Sequence, residues 1–296
     1  MSTPTAQHSI FRTAEGAELL HSEYRELLAL WPVANRQHCV STAQGNTFVV
    51  ESGTPGKPVL VLLHGSMSTS AMWMHEAKQW EQDYHLFAID LIGEAGLSTP
   101  VRPPLGSADY AQWLDEVLDG LQISQAHFIG TSLGGWFCLD YAMRRGNRVL
   151  SLVLQSPGGI GVQRSILWWV LPLSLLGRWG KNKVRERLVG TPPAQTSEAA
   201  SRLGALLALI PKHFRPRLEK LPLFTDEQLA QLQMPVLLIV GGKDRMLDAE
   251  QIRRRAHAHI PHLILRYLPD GLHFLGDQTP AIGEFLTRVG GNNSAT

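Results

Sequence analysis

The chain of 296 residues predicts an α/β fold: a mostly parallel eight-stranded sheet with helices on both faces and an inserted helical cap. Three observations carry this expectation. Short runs rich in Val, Ile and Leu alternate with helical patterns, as parallel strands covered on both faces do. One interval of about 80 residues breaks that rhythm, far more than a strand–helix–strand crossover needs. Four strand ends also carry reactive or glycine-flanked residues, and strand ends are where open parallel sheets bind their ligands.

The elements follow in order. Leu20, Tyr24, Leu27, Leu28 and Trp31 recur at helical spacing before Pro32, which predicts an amphipathic helix with a stop. This helical extension, 1–36, is expected to lay its apolar face on the body of the domain. QHCVST and TFVVES read as a leading hairpin. PVLVLLHG, HLFAIDL, AHFIGT, VLSLVLQS, PVLLIVGG and LILRYLP read as buried strands, AIGEFLTRV as the closing helix and GGNNSAT as a frayed tail. The core is therefore expected over 37–159 and 229–290, with the cap over 160–228. The cap holds the apolar run ILWWVLPLSLL interrupted by Pro172, the basic stretch RWGKNKVRER, and a helical segment ending at Pro211. Most of the apolar run is expected to pack the cap onto the core, and Trp168 and Trp169 are the candidates for lining a substrate pocket beneath it.

Composition narrows the function classes. With 44% hydrophobic and 18% charged residues the chain buries a sizeable core and is not a disordered protein. A net charge of +1 gives no global reason to expect a nucleic-acid partner. Between 160 and 222, eleven Lys and Arg stand against three Glu, read either as a solvated face or as attraction for anionic substrates and acidic surfaces. Two cysteines are too few for a disulfide framework, and the N-terminus shows no signal peptide, so a cytoplasmic setting is expected. The longest apolar run is too short to span a bilayer, which argues against stable membrane insertion. No cluster of ligands suggests a metal, and no cofactor is expected; His257 and His259, two apart on a predicted helix, point in different directions.

The strand ends carry the chemistry. Gly130-x-Ser132-x-Gly134 lies between the strand AHFI and a helix, the context of a nucleophile elbow; the plain alternative is a glycine-lined turn with a capping serine. His64-Gly65-Ser66-Met67 follows PVLVLLHG, where the backbone amides of Ser66 and Leu133 could face a developing oxyanion. Asp244 follows PVLLIVGG and is a carboxylate able to orient an imidazole. Its rivals are Asp248, read as an N-cap with Gln251 completing a capping box, and Asp270 and Asp277, which flank the histidine closely. His273 follows the last strand in a glycine-flanked loop. A serine needs a neighbouring base to become a nucleophile, and Ser132, Asp244 and His273 supply nucleophile, orienting acid and base.

With these residues the chain resembles α/β-hydrolase-fold proteins, and in particular the capped group of carboxylesterases, C–C bond hydrolases, epoxide hydrolases and haloalkane dehalogenases, over roughly residues 37–290. The order Ser132, Asp244, His273 is the family's. Asp90-Leu-Ile-Gly93-Glu-Ala-Gly96-Leu-Ser98 resembles its D-x-x-G-x-G-x-S turn with one extra residue. A serine at the elbow argues against the dehalogenase and epoxide hydrolase chemistries, which use an aspartate there. The resemblance implies a serine hydrolase acting on a small-molecule carboxylic ester through an acyl-enzyme on Ser132. A C–C bond hydrolase or an acyltransferase would use the same triad, and a non-catalytic receptor would share the fold. No oligomeric state follows from the sequence.

Overall fold

The computed structural model describes residues 10–165, 167–189 and 197–292, and all the expected strands join one eight-stranded sheet. The hairpin β1 (Asn35–Thr42) and β2 (Gly45–Gly53) is antiparallel, and β2 pairs antiparallel with β4 (His85–Ile89). From there the sheet is parallel, through β3 (Val59–Leu63), β5 (Ala126–Thr131), β6 (Val149–Gln155), β7 (Val236–Gly241) and β8 (Leu263–Leu268). The spatial order is β1-β2-β4-β3-β5-β6-β7-β8. Strands β5 and β7 are buried along their whole length, which is why their sequences run apolar without alternation.

Side chains alternate between two cores. Val61 and Leu63 of β3, with Phe128 of β5, face helices α3 (Asp109–Gly120), α4 (Leu133–Arg144) and α9 (Ala249–His259). Leu60, Leu62 and Ile129 face the other way, onto α1 (Ala14–Leu28), α2 (Met74–Trp80), α7 (Glu198–His213) and α10 (Thr279–Asn292). The N-terminal helix is an integral wall of this second core. Thr13 caps it by accepting the Gly16 N–H at 3.0 Å, and Leu20, Tyr24, Leu27 and Leu28 are fully covered.

Between β6 and β7 lie α5 (Leu167–Leu175), α6 (Gly177–Val189), α7 and α8 (Asp226–Ala230). Several expectations fail here. Pro172 does not break the apolar run but sits inside α5, and Pro211 stands within the last turn of α7, which ends at His213. Past the first turn each proline gives up its own ladder bond, and both helices nevertheless continue through it. Of the apolar run, the side chains at 166–169 lie outside the described residues, Val170 and Leu173 are half-buried, and Leu171, Leu175 and Leu176 are exposed, Leu175 by 81%, as is Trp179 beyond the run. Helix α7 instead places Leu206 and Ile210 in the second core, and Arg202 pairs with Glu26 of α1 at 2.7 Å. The tail is shorter than expected, since α10 continues through Gly290 to Asn292. Asp248 does cap α9, accepting the Gln251 N–H at 3.1 Å, but no capping box forms; the Gln251 side chain accepts from the Val162 N–H instead, and the Asp248 N–H donates to the Val162 carbonyl. Cys39 and Cys138 are free thiols, and no described helix is long and apolar enough to cross a membrane.

His127 on β5 is buried beside Ser151, with 2.7 Å between Nδ1 and Oγ, and burial lowers its pKa to about 4. In the unfolded chain the imidazole takes a proton near 6.5, so its full contribution is present above that pH and is lost as the pH falls toward 4, by up to about 3 kcal/mol. Buried His64, also lowered by burial, slopes the same way. Urea midpoints are expected to fall between pH 7.5 and pH 4.5, and His127→Gln to make that fall shallower; equal falls in both proteins would remove His127 as the cause.

Candidate active site

Strand β5 ends at Thr131 and α4 begins at Leu133, so Ser132 alone reverses the chain, at φ 53° and ψ −109°. Few L-residues occupy that region, and the surroundings must impose it. The Ser132 N–H donates to the Gln155 carbonyl at 2.9 Å, while its own carbonyl accepts from Trp136 and Gly158 at 3.1 Å each. The flanking glycines are dictated by close approach. A Cβ on Gly130 would sit 2.5 Å from the Gly134 carbonyl oxygen, and one on Gly134 would overlap the Leu63 carbonyl of β3. The Gly-x-Ser-x-Gly spacing is what lets β3, β5 and α4 meet under an outward-facing hydroxyl.

The structure brings Ser132, His273 and Asp244 together. His273 Nε2 lies 3.0 Å from Ser132 Oγ, and its Nδ1 lies 2.7 Å from Asp244 Oδ2. Asp244 is only 1% exposed; its other oxygen accepts the N–H groups of Met246 and Leu247 at 2.7 and 3.0 Å. The loops after β7 and β8 clasp backbone to backbone: the Lys243 N–H donates to the Gly271 carbonyl, and a Cβ on Gly241 would meet Gly271 and Leu272. The rival carboxylates are engaged elsewhere. Asp270 pairs with Lys243 at the surface at 2.7 Å, Asp277 accepts from Thr279 and lies near His75, and Asp248 caps α9.

The loop after β3 runs beside this group. A Cβ on Gly65 would lie 3.6 Å from that of Ser132, so the residue before Ser66 lies against the serine turn. Leu133 opens α4, so its N–H has no partner within the helix. His64 ties the loop down from below, fully buried: Nδ1 donates to the Gly65 carbonyl at 2.8 Å and Nε2 accepts the Leu91 N–H at 3.0 Å. Burial lowers its pKa, which keeps the ring neutral in this role. A buried group with no counterpart in the sequence reading adjoins it. Glu94 Oε2 accepts the Met67 N–H at 2.8 Å and the Ser66 hydroxyl at 3.3 Å, with Arg102 and Arg217 close enough to act on its charge. Its one signal in the sequence is the extra residue in the turn after β4.

Trp168 and Trp169 belong to α5, but their side chains fall outside the described residues. Other apolar residues of the insertion do reach the loop after β6. Leu221 closes on Gly158, whose N–H binds Ser132, and Phe224 stacks on Trp136 of α4 with centroids 5.4 Å apart. Among the described residues no group of His, Cys, Asp and Glu is placed to hold a metal ion.

Residues 58–187 match the family model described as alpha/beta hydrolase fold. A carbamate hydrolase assignment, RutD, made provisionally for a Stutzerimonas stutzeri protein, belongs to a relative 31% identical over 230 residues, 74% of this chain and 86% of that one. The uncharacterized carboxylesterase nap of Bacillus subtilis is 29% identical over 265 residues, 88% of each chain. The crystal structure of naproxen esterase (carboxylesterase NP) from B. subtilis superposes with a TM-score of 0.79 at 29% identity, covering 94% of this chain and 99% of that one. The chain belongs to the α/β-hydrolase fold family and is a carboxylesterase-like hydrolase.

The glycine contacts make a directional prediction. Gly134→Ala should lower the melting temperature by several degrees, since the added methyl meets the Leu63 backbone. Gly283→Ala, in α10 with open space around it, should be neutral or stabilising by up to about 1 kcal/mol. Thermal melts giving the same shift for both would show that the elbow has room for a side chain.

Proposed function

We propose that this protein hydrolyses carboxylic esters of small molecules through an acyl-enzyme on Ser132. The observation that carries the reading is the unbroken chain of short contacts from Ser132 Oγ through His273 to buried Asp244. Carboxylesterase relatives of matching length support it. Ser132 Oγ attacks the ester carbonyl carbon as its proton passes to His273 Nε2. Negative charge gathers on the carbonyl oxygen, where the amides of Ser66 and Leu133 stabilise it. Collapse expels the alcohol, which takes the proton from Nε2, and leaves the acyl group on the serine. Water then attacks with His273 again as base, the acid departs, and Ser132 recovers its proton. Asp244, held by the Met246 and Leu247 amides, fixes the tautomer that presents Nε2 to the serine.

The insertion, 160–228, serves in this reading as a cap that shapes the acyl pocket, with Leu221, Trp168 and Trp169 as lining candidates. An apolar roof favours aliphatic and aromatic acyl groups over sugars or peptides.

Ser132→Ala should cost at least about a thousandfold in kcat and abolish labelling by a fluorophosphonate. A tenth of wild-type turnover in the purified variant would exclude Ser132 as nucleophile. Asp244→Asn should also be crippling and Asp270→Asn nearly silent; the reverse pattern would move the acid to the surface loop. Along a p-nitrophenyl ester series, kcat/KM should rise by up to about fourfold per methylene, the equivalent of ~0.8 kcal/mol, and then drop at a defined length. Trp168→Ala or Trp169→Ala should move that optimum, and an unchanged profile in both would leave the pocket to other residues.

A further inference from the structure

The turn after β4 departs from the pattern it resembles by one residue, and within it stands Glu94, 1% exposed. One carboxylate oxygen takes both the Met67 N–H and the Ser66 hydroxyl. Met67 has φ 58°, a left-handed conformation that a methionine adopts only when its surroundings impose it. The Glu94 bond fixes the direction of that strained residue's amide. Ser66 is thereby gripped at its side chain and at the peptide that follows it, and its own N–H is the one assigned above to the oxyanion.

We infer that Glu94 is a positioning residue: its carboxylate holds the loop after β3 so that the Ser66 amide stays aimed at the oxygen of the tetrahedral intermediate above Ser132. The inference rests on the ester-hydrolysis reading. A bare carboxylate near a developing oxyanion would oppose it, and the charges around Glu94 answer that objection. Arg102 and Arg217 both act on it. Arg102 is fixed by the carbonyls of Gly93 and Arg215 at 2.9 and 2.8 Å. Arg217 donates to the Tyr110 hydroxyl at 2.6 Å and to Glu219 at 3.1 Å. Burial pushes the Glu94 carboxyl up, while the Met67 amide and then the two guanidinium charges pull it back. The two guanidinium charges offset part of the cost, burial still leaves the carboxyl above its ordinary range, and what reaches the loop is an acceptor oxygen held in place. Arg217 comes from the insertion, so the segment after α7 supplies part of the positive charge that acts on Glu94.

The test compares Glu94→Ala, Glu94→Gln and Glu94→Asp in the full-length protein on one p-nitrophenyl ester, with rates normalised to active sites counted by a fluorophosphonate. Glu94→Ala should lose about 10- to 100-fold in kcat, with KM changed less than about threefold. Glu94→Gln keeps an oxygen for the Met67 N–H and should stay within about threefold of wild type. An alkylboronic acid, which bonds to Ser132 Oγ and places an oxygen where the oxyanion forms, should bind Glu94→Ala more weakly by the same factor as kcat falls. The ether analogue of the ester, which has no carbonyl oxygen, should bind all variants alike. Unchanged kcat and boronate affinity in Glu94→Ala overturn the proposal, as do equal losses in the Ala and Gln variants or parallel weakening of boronate and ether. Should Glu94→Ala not fold, Glu94→Asp carries the same comparison with a smaller loss of about 3- to 10-fold. A wild-type protein that neither cleaves the esters nor binds the boronate brings down the ester-hydrolysis reading itself, and an active one with an indifferent Glu94→Ala brings down the Glu94 role alone.

Discussion

A carboxylate with no exposure at all, Asp90 at the end of β4, is the point to which the site-bearing half of the molecule is tied. Its Oδ1 accepts the Tyr24 hydroxyl at 3.0 Å and the Ser70 N–H at 2.8 Å, and its Oδ2 accepts the Leu97 N–H at 2.8 Å. Its backbone carbonyl takes the Ser98 hydroxyl at 2.6 Å. Those donors come from α1, from the end of the loop after β3 and from the turn after β4. A buried carboxylate stripped of such donors is costly to keep, so these hydrogen bonds hold the three segments together. The N-terminal helix, separate in sequence from the sheet it braces, is therefore part of what keeps the loop beside Ser132 in place.

The same logic explains why so much of the site is backbone. The strained serine turn is held by the carbonyl of Gln155 and the amides of Trp136 and Gly158, and Asp244 by the amides of Met246 and Leu247. Amides fixed by backbone hydrogen bonds and close packing do not reorganise when charge moves, which is the property an electrostatic catalyst needs. Side chains enter where a proton must move or where a loop would otherwise relax, at His273, His64 and Glu94.

How much of this was legible follows from the range of each signal. The strands were plain because both faces of the sheet are buried, so the apolar runs are continuous. Ser132, Asp244 and His273 stood out because each sits at a strand end beside glycines that backbone contacts demand. Pro211 misled because a single proline is absorbed within a helix that Leu206, Ile210 and the Arg202–Glu26 pair hold, and Gln251 because Val162, remote in sequence, competed for its side chain; nothing in the structure explains why α5 continues through Pro172. The exposure of Leu175 ran against the ordinary expectation that an apolar run is covered. The cluster around Glu94 was illegible for a deeper reason. Arg217 reaches Tyr110 across 107 residues, and in sequence each of these charges looks like an ordinary solvated one.

The serine and its imidazole are separated by 141 residues, with the oriented carboxylate between them in the chain and nearer the histidine. A ribosome working from the N-terminus thus releases the elbow strand long before the loop that arms it. Under the ester-hydrolysis reading, the hydroxyl of Ser132 gains its base only when the loop after the last strand has docked. On that reading, a reactive hydroxyl at Ser132 would report that the final strand and its loop have docked.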